Sequence, residues 1–171
     1  RNVCGIKDAT SSEFIGENAR GNLVIDFMFE QKSQTQKGGT MRLGSFPCDL
    51  KPGTKTHQIY RENRIQERHR HRYEFNNKFK DLFLKRGLVA AGLCKERNLV
   101  EIIELPDHPW FIGVQFHPEF KSKPLAPHPL FTQFVKASLQ RKSAFELLPK
   151  NKVEKISRDT IKKESRKSIL V

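Results

Sequence analysis

The sequence predicts an α/β fold, and three observations carry the prediction. Short apolar runs alternate with stretches of helical periodicity through the first 140 residues, the pattern of strands interleaved with helices. The breaks between them fall at Gly, Pro and Asn, residues that interrupt regular backbone. A chain of 171 residues with 36% hydrophobic content and 13 Phe has enough apolar surface for one ordinary domain core.

In chain order, Leu-Val-Ile-Asp-Phe-Met at 23–28 is the first strand candidate. Gly38 and Gly39 break the chain, and residues 40–46 restart an alternating, strand-like pattern. Residues 56–63 read as a short helix with Thr56 as its N-cap, ahead of a charged strand over 65–75. Residues 77–86 read as an amphipathic helix, because Phe79, Leu82 and Phe83 share a face and Gly87 is placed to end it. Apolar runs at 88–94 and 99–105, joined by the polar Lys-Glu-Arg-Asn at 95–98, predict a hairpin. After a turn at 106–109, Trp-Phe-Ile-Gly-Val-Gln-Phe at 110–116 reads as a buried strand, and 121–127 as a loop. The last helix starts at His128-Pro129, where proline suits the first turn, and is expected to bury Leu130, Phe131, Phe134, Val135 and Leu139.

The formal charge is +13, which invites a nucleic-acid reading. Its distribution argues against one. Residues 141–171 hold ten Lys/Arg against four Asp/Glu, with few aromatics and little helical periodicity. We expect 141–171 to be a solvated, disordered basic extension rather than a binding platform. Three cysteines, Cys4, Cys48 and Cys94, are an odd number at wide spacing and make neither a disulfide framework nor a zinc site. The histidines share no metal-ligand spacing with them, so no metal is expected. No apolar run is long enough to span a bilayer, and a reducing, cytoplasmic compartment is expected. The chain begins at Arg1 with no leader pattern, which we read as a truncated N-terminus.

The chemistry concentrates at His117-Pro118-Glu119. In an extended segment side chains repeat with period two, so His117 and Glu119 project to one side, with proline fixing the backbone between them. A carboxylate there holds the imidazole tautomer and stabilises its charged form, as nucleophile-base-orienter triads require. Taken alone, the pair is better read as a strand-end histidine capped by a nearby acid, and it needs company before it means catalysis.

Three further stretches decide between these readings: Gly-Gly-Thr-Met-Arg-Leu-Gly at 38–44, Glu-Arg-His-Arg-His-Arg-Tyr-Glu at 67–74, and Leu-Val-Glu-Ile-Ile-Glu at 99–104. The last leads through His-Pro-Trp-Phe to Gln-Phe-His-Pro-Glu-Phe at 115–120. In this order they closely resemble the glutamine amidotransferase domain of the CTP synthase family, a triad-type (class I) glutaminase fused to an amidoligase. The resemblance covers residues 1–140. It implies an incomplete flavodoxin-like α/β domain, with His117 as the triad base and Glu119 as its orienting acid. It also implies that Arg72 and Glu13 bind glutamine. A guanidinium at 72 suits the substrate α-carboxylate, and a carboxylate at 13 suits its α-ammonium group. For Arg68 to Arg72 taken alone, an edge strand with alternate charges facing water is the simpler reading.

The chain departs from the family at the nucleophile. Such enzymes carry a Gly-x-Cys-x-Gly elbow with backbone oxyanion donors, and no cysteine here has that context. The resemblance places the elbow upstream of Arg1, so the 171-residue piece is expected to be inactive by itself. The resemblance likewise implies an amidoligase domain upstream, with its ATP, Mg2+ and UTP sites and the contacts that build a homotetramer, which is expected to be missing from this piece. Two rivals stay open: a non-catalytic glutaminase-like binding or regulatory domain, and, more remotely, a basic nucleic-acid-binding protein.

Overall fold

The computed structural model describes residues 1–15, 21–27 and 41–147. Its elements run β1 (Ala9–Ser11), α1 (Ser12–Ile15), β2 (Asn22–Phe27), β3 (Arg42–Leu50), α2 (Lys55–Tyr60), β4 (Arg64–His71), β5 (Tyr73–Phe75), a 3-10 turn (Asn77–Phe79), α3 (Lys80–Lys85), β6 (Val89–Cys94), β7 (Leu99–Glu104), β8 (Ile112–Val114), a 3-10 turn (Pro118–Lys121) and α4 (Pro129–Glu146). The class is α/β, as the alternation of runs predicts. Among the described residues only β1 and β2 pair in parallel, and every other strand pair is antiparallel.

The strands form two sheets, one ordered β1-β2-β5 and the other β4-β3-β6-β7-β8. β3 pairs with β4 from Arg42 to Asp49 but meets β6 only at Asp49 and Leu50. Pro47 therefore sits where one side of β3 has no ladder partner, and its missing N–H costs no sheet hydrogen bond. The main core joins Cys48, Leu50, Ile65, Ala91, Ile102, Phe116 and Leu130. Gly92 lets β6 close on it, since a Cβ there would stand 2.6 Å from both Cys48 Sγ and Ile102 Cγ1. A second cluster forms around Cys4, Ile6 and Leu88 and takes up Phe79, Leu82 and Phe83, the face expected of the amphipathic helix.

Several boundaries differ from the sequence reading for local reasons. The N-cap of α2 is Thr54, whose hydroxyl accepts the His57 N–H at 3.2 Å; Thr56 is fully buried and donates to Glu104 instead. The helix stops at Tyr60 because Arg61 turns left-handed at φ 58°. The charged strand over 65–75 is two strands in two sheets, with Arg72 as the single residue between them. The helix over 77–86 opens as a 3-10 turn and ends at Gly87, with φ 83°. The hairpin forms with Asn98 at φ 51° closing its turn. Only Ile112–Val114 of the 110–116 run is strand.

The chain divides into two units, Arg1–Thr132 and Gln133–Val171. In the second, α4 continues to Glu146, so the first residues of the expected basic extension are helical. Of the five apolar residues expected to be buried by this helix, only Leu130 is; Phe131, Phe134, Val135 and Leu139 are 40–59% exposed. Met28, the Gly38-Gly39 break and residues 148–171 lie outside the described residues.

Candidate active site

Strand β8 delivers its chain to the site by two backbone bonds. Gln115 N–H donates to Glu101 C=O at 2.9 Å, and His117 N–H crosses to Arg68 C=O on β4 at 2.9 Å. Between them Phe116 is buried in the main core. Pro118 then opens a 3-10 turn, where a residue without an N–H is tolerated and its φ is already helical. The turn closes through Phe120 N–H to His117 C=O at 3.1 Å and Ser122 N–H to Glu119 C=O at 3.3 Å.

This turn brings the two predicted residues together. His117 Nδ1 lies 2.7 Å from Glu119 Oε1, and the Phe120 ring stacks on the imidazole at 5.1 Å. The expected period-two strand geometry is not what joins them: His117 is extended, and Glu119 comes round on the 3-10 turn. Since the carboxylate accepts, the proton sits on Nδ1, which leaves Nε2 as the basic nitrogen. The Glu119 carboxyl is held below its ordinary value by its own backbone N–H and then by His117. Both side chains are open to solvent, at 35% and 54% exposure.

Glu13 and Arg72 are placed by topology. β1 runs parallel to β2 with Ser11 beside Ile25, and β5 runs antiparallel with Tyr73 beside Phe27. Glu13 comes two residues after the end of β1 and Arg72 immediately precedes β5, so both stand at the same end of this sheet. Glu13 is exposed on α1, its N–H on Ser11 Oγ at 3.2 Å, and Arg72 is half-buried. The β4 segment that takes the His117 amide at Arg68 runs directly to Arg72.

Beneath this surface lies a buried ionic cluster that the sequence reading missed. Arg42 Nη1 is 2.6 Å from Glu101 Oε1 and 3.6 Å from Glu74 Oε1, all three residues at most 3% exposed. Glu74 also accepts from Gln115 Nε2 at 3.3 Å and lies 3.4 Å from His71 Nδ1. His69 Nδ1 meets His71 Nε2 at 2.8 Å, and His71 Nδ1 meets Tyr73 C=O at 3.0 Å. A carbonyl only accepts, so the chain of bonds runs His69 to His71 to Tyr73 with both rings neutral. Burial, then the Arg42 charge, pushes His69 down to about 3 and His71 to about 4. Burial pushes Glu74 up to about 7 against the pull of Arg42, and raises Glu101 as well. The available signal was alternation: β4 buries Glu67 and His69 while Arg68 and Arg70 face water. Two acids inside the apolar run 99–104 gave the same warning.

All three cysteines are free and buried. Burial raises each thiol above its ordinary value, so none is an activated thiolate. Among the described residues no three His, Cys, Asp or Glu side chains converge as a metal site. Nor is any described helix long and apolar enough to cross a membrane.

The model of the family "Glutamine amidotransferase class-I" matches residues 11–137. A CTP synthase of Bdellovibrio bacteriovorus is 70% identical over 143 residues, covering 83% of this chain and 27% of that protein. One of Pelobacter propionicus is 58% identical over 144 residues, covering 84% and 26%. The chain thus spans about a quarter of the length of these curated relatives. Among solved structures, the glutaminase domain of Trypanosoma brucei CTPS with bound acivicin superposes with a TM-score of 0.71 at 34% identity, covering 82% of this chain and 54% of that one.

Proposed function

Since the chain belongs to the class-I glutamine amidotransferase family, we propose that His117 and Glu119 are the base and orienter of a glutamine-hydrolysing site. The observation that carries this is the 2.7 Å contact fixing the imidazole with Nε2 basic. In the proposed cycle Nε2 takes a thiol proton as sulfur attacks the carboxamide carbon of glutamine. It returns that proton to the departing ammonia, then activates water to cleave the thioester to glutamate. Glu119, its carboxyl held below the ordinary value by its own N–H and then by His117, stabilises the imidazolium at each protonation. Arg72 holds the substrate α-carboxylate and Glu13 its α-ammonium group.

The thiol is not among the 171 residues in usable form, because Cys4, Cys48 and Cys94 are each buried and raised. We propose that the piece alone does not turn over glutamine and that a longer protein supplies the nucleophile and oxyanion donors. The relatives' name supports the fuller role: ammonia released here aminates UTP to CTP on a cytoplasmic amidoligase. ATP and Mg2+ are handled there by residues beyond these, and a homotetramer forms through that domain.

The test joins this chain in frame to the preceding part of the Bdellovibrio bacteriovorus relative. Glutamine-dependent CTP formation should vanish in His117→Ala while ammonia-dependent formation persists. Arg72→Ala and Glu13→Ala should raise the KM for glutamine. Loss of both activities in His117→Ala, or of neither, refutes the assignment. For the 171 residues alone, glutaminase turnover abolished by His117→Ala refutes the proposed inactivity.

A further inference from the structure

A second buried constellation lies further along the same buried face of β4, and the reaction as described does not use it. Glu67, with 0% exposure, accepts from Tyr60 Oη at 3.0 Å and from His128 Nε2 at 3.0 Å, and stands 3.8 Å from the Lys121 ammonium. The three partners come from α2, from the residue just before α4 and from the last residue of the turn that carries Glu119. His128 is itself fixed, its Nδ1 accepting the Leu130 N–H at 3.3 Å and its own N–H donating to Ser122 Oγ at 3.1 Å. An accepting Nδ1 puts the proton on Nε2, so a neutral imidazole donates to Glu67. Glu67 is thus the anion of this cluster, and Lys121 is the cation that faces it.

The turn carrying Glu119 is tied to β4 at both ends. His117 N–H meets Arg68 C=O at its start, and the Lys121 ammonium meets Gln66 C=O at 2.5 Å at its end. Only the second tie depends on a side chain, and Glu67 lies beside it. A carboxylate this deeply buried is retained only with partners, and those partners fix its position.

We propose that Glu67 is a positioning residue for the His117–Glu119 pair, anchoring the end of the 118–121 turn through Lys121, His128 and Tyr60. The proposal rests on the reading of that pair as base and orienter, but its test needs no turnover. Because Glu119 owes its lowered titration first to its own N–H and then to His117, a loosened turn shifts that titration upward.

The experiment is NMR on the 171-residue chain, reading the Glu119 carboxyl titration and the His117 Nδ1–H resonance. Glu67→Gln, which keeps volume and removes charge, should raise the Glu119 midpoint toward the ordinary carboxylate range and abolish the Nδ1–H resonance. His117→Ala sets the scale for the first readout. A folded Glu67→Gln chain with both signals unchanged overturns the proposal. If Glu67→Gln does not fold, Lys121→Gln at a 43% exposed side chain takes its place, with the same two outcomes. Loss of glutamine-dependent activity in His117→Ala is read separately, so failure of the positioning role and failure of the glutaminase reading are distinguishable.

Discussion

Arg42→Met is the sharpest test of the buried cluster, because its cost is fixed by two carboxyls whose titration the structure constrains. Arg42 is the cation within ion-pair distance of both Glu74 and Glu101. Once it is removed, each acid relieves its burial by staying protonated. Every pH unit above the ordinary 4.5 at which a carboxyl is so held costs ~1.4 kcal/mol. At about pH 7.5 the ceiling is therefore ~4 kcal/mol per acid. Glu74, already up to about 7, has nearly reached that ceiling in the wild-type chain and loses about 1 kcal/mol more. Glu101, which Arg42 likewise holds against its burial, adds to this, and removing one partner of a buried ion pair costs about 3–5 kcal/mol in all. At about pH 5 each carboxyl costs under ~1 kcal/mol.

The sign follows from linkage. A carboxyl whose folded pKa is raised contributes stability that is present below its unfolded value and lost as pH rises through the folded one. His69 and His71, lowered to about 3 and about 4 largely by burial, act oppositely: the unfolded chain gains their protons below about pH 6.5. Arg42 lowers both histidines, so its removal relieves them at acid pH and reinforces the contrast. Urea unfolding of both proteins at the two pH values is the assay. The variant's deficit should be about 3 kcal/mol larger at the higher pH. An equal deficit at both would show that Arg42 acts by packing and refute the charge argument.

Gly92→Ala should destabilise by about 1–3 kcal/mol or more, read as a lowered Tm, because Cys48 and Ile102 stand where its Cβ would go. Glu104→Gln should cost about 1–2 kcal/mol in urea unfolding. Its carboxylate accepts the Lys55 and Thr56 N–H groups and the Thr56 hydroxyl at 2.9–3.1 Å, capping α2 from a neighbouring strand. The native chain at neutral pH should show no thiol reacting quickly with a disulfide reagent, and all three should react once it is denatured; a fast native thiol would contradict their burial.

Periodicity showed the elements that bury one regular face. The helix around Leu82 and Phe83 and the 88–105 hairpin are of this kind. It failed at α2, because Thr56 is bound by Glu104, a residue distant in sequence, and Thr54 is left to cap. It failed at Arg72, because no local signal says that the chain changes sheets there. His117 and Glu119 were legible as a pair from spacing, though by the wrong geometry, since proline in a 3-10 turn joins them as well as an extended strand would. Glu13 and Arg72 came only from resemblance. The roles of Glu67, Glu74, Glu101 and Arg42 stayed hidden because a charged residue is read as exposed until its partners, brought in by other strands, are known.

The exposure of His117 and Glu119 explains why so much polar structure is buried beside them. A hydrogen bond between solvent-open groups adds only about 1 kcal/mol net, too little to hold an imidazole in one orientation against thermal motion. The orientation must come from backbone, and here the backbone is a four-residue turn resting on an edge strand. β4 meets this need by alternation: its arginines take the wet face, while Glu67 and His69 point inward and tie the strand to Tyr60 on α2, to His128 ahead of α4 and to Glu101 on β7. A carboxylate buried with several partners is costly to displace, so the edge strand gains a rigidity that ladder bonds on one side would not give. Such rigidity suits the role proposed for His117, because a base works only when its Nε2 is held in one orientation toward the group it deprotonates.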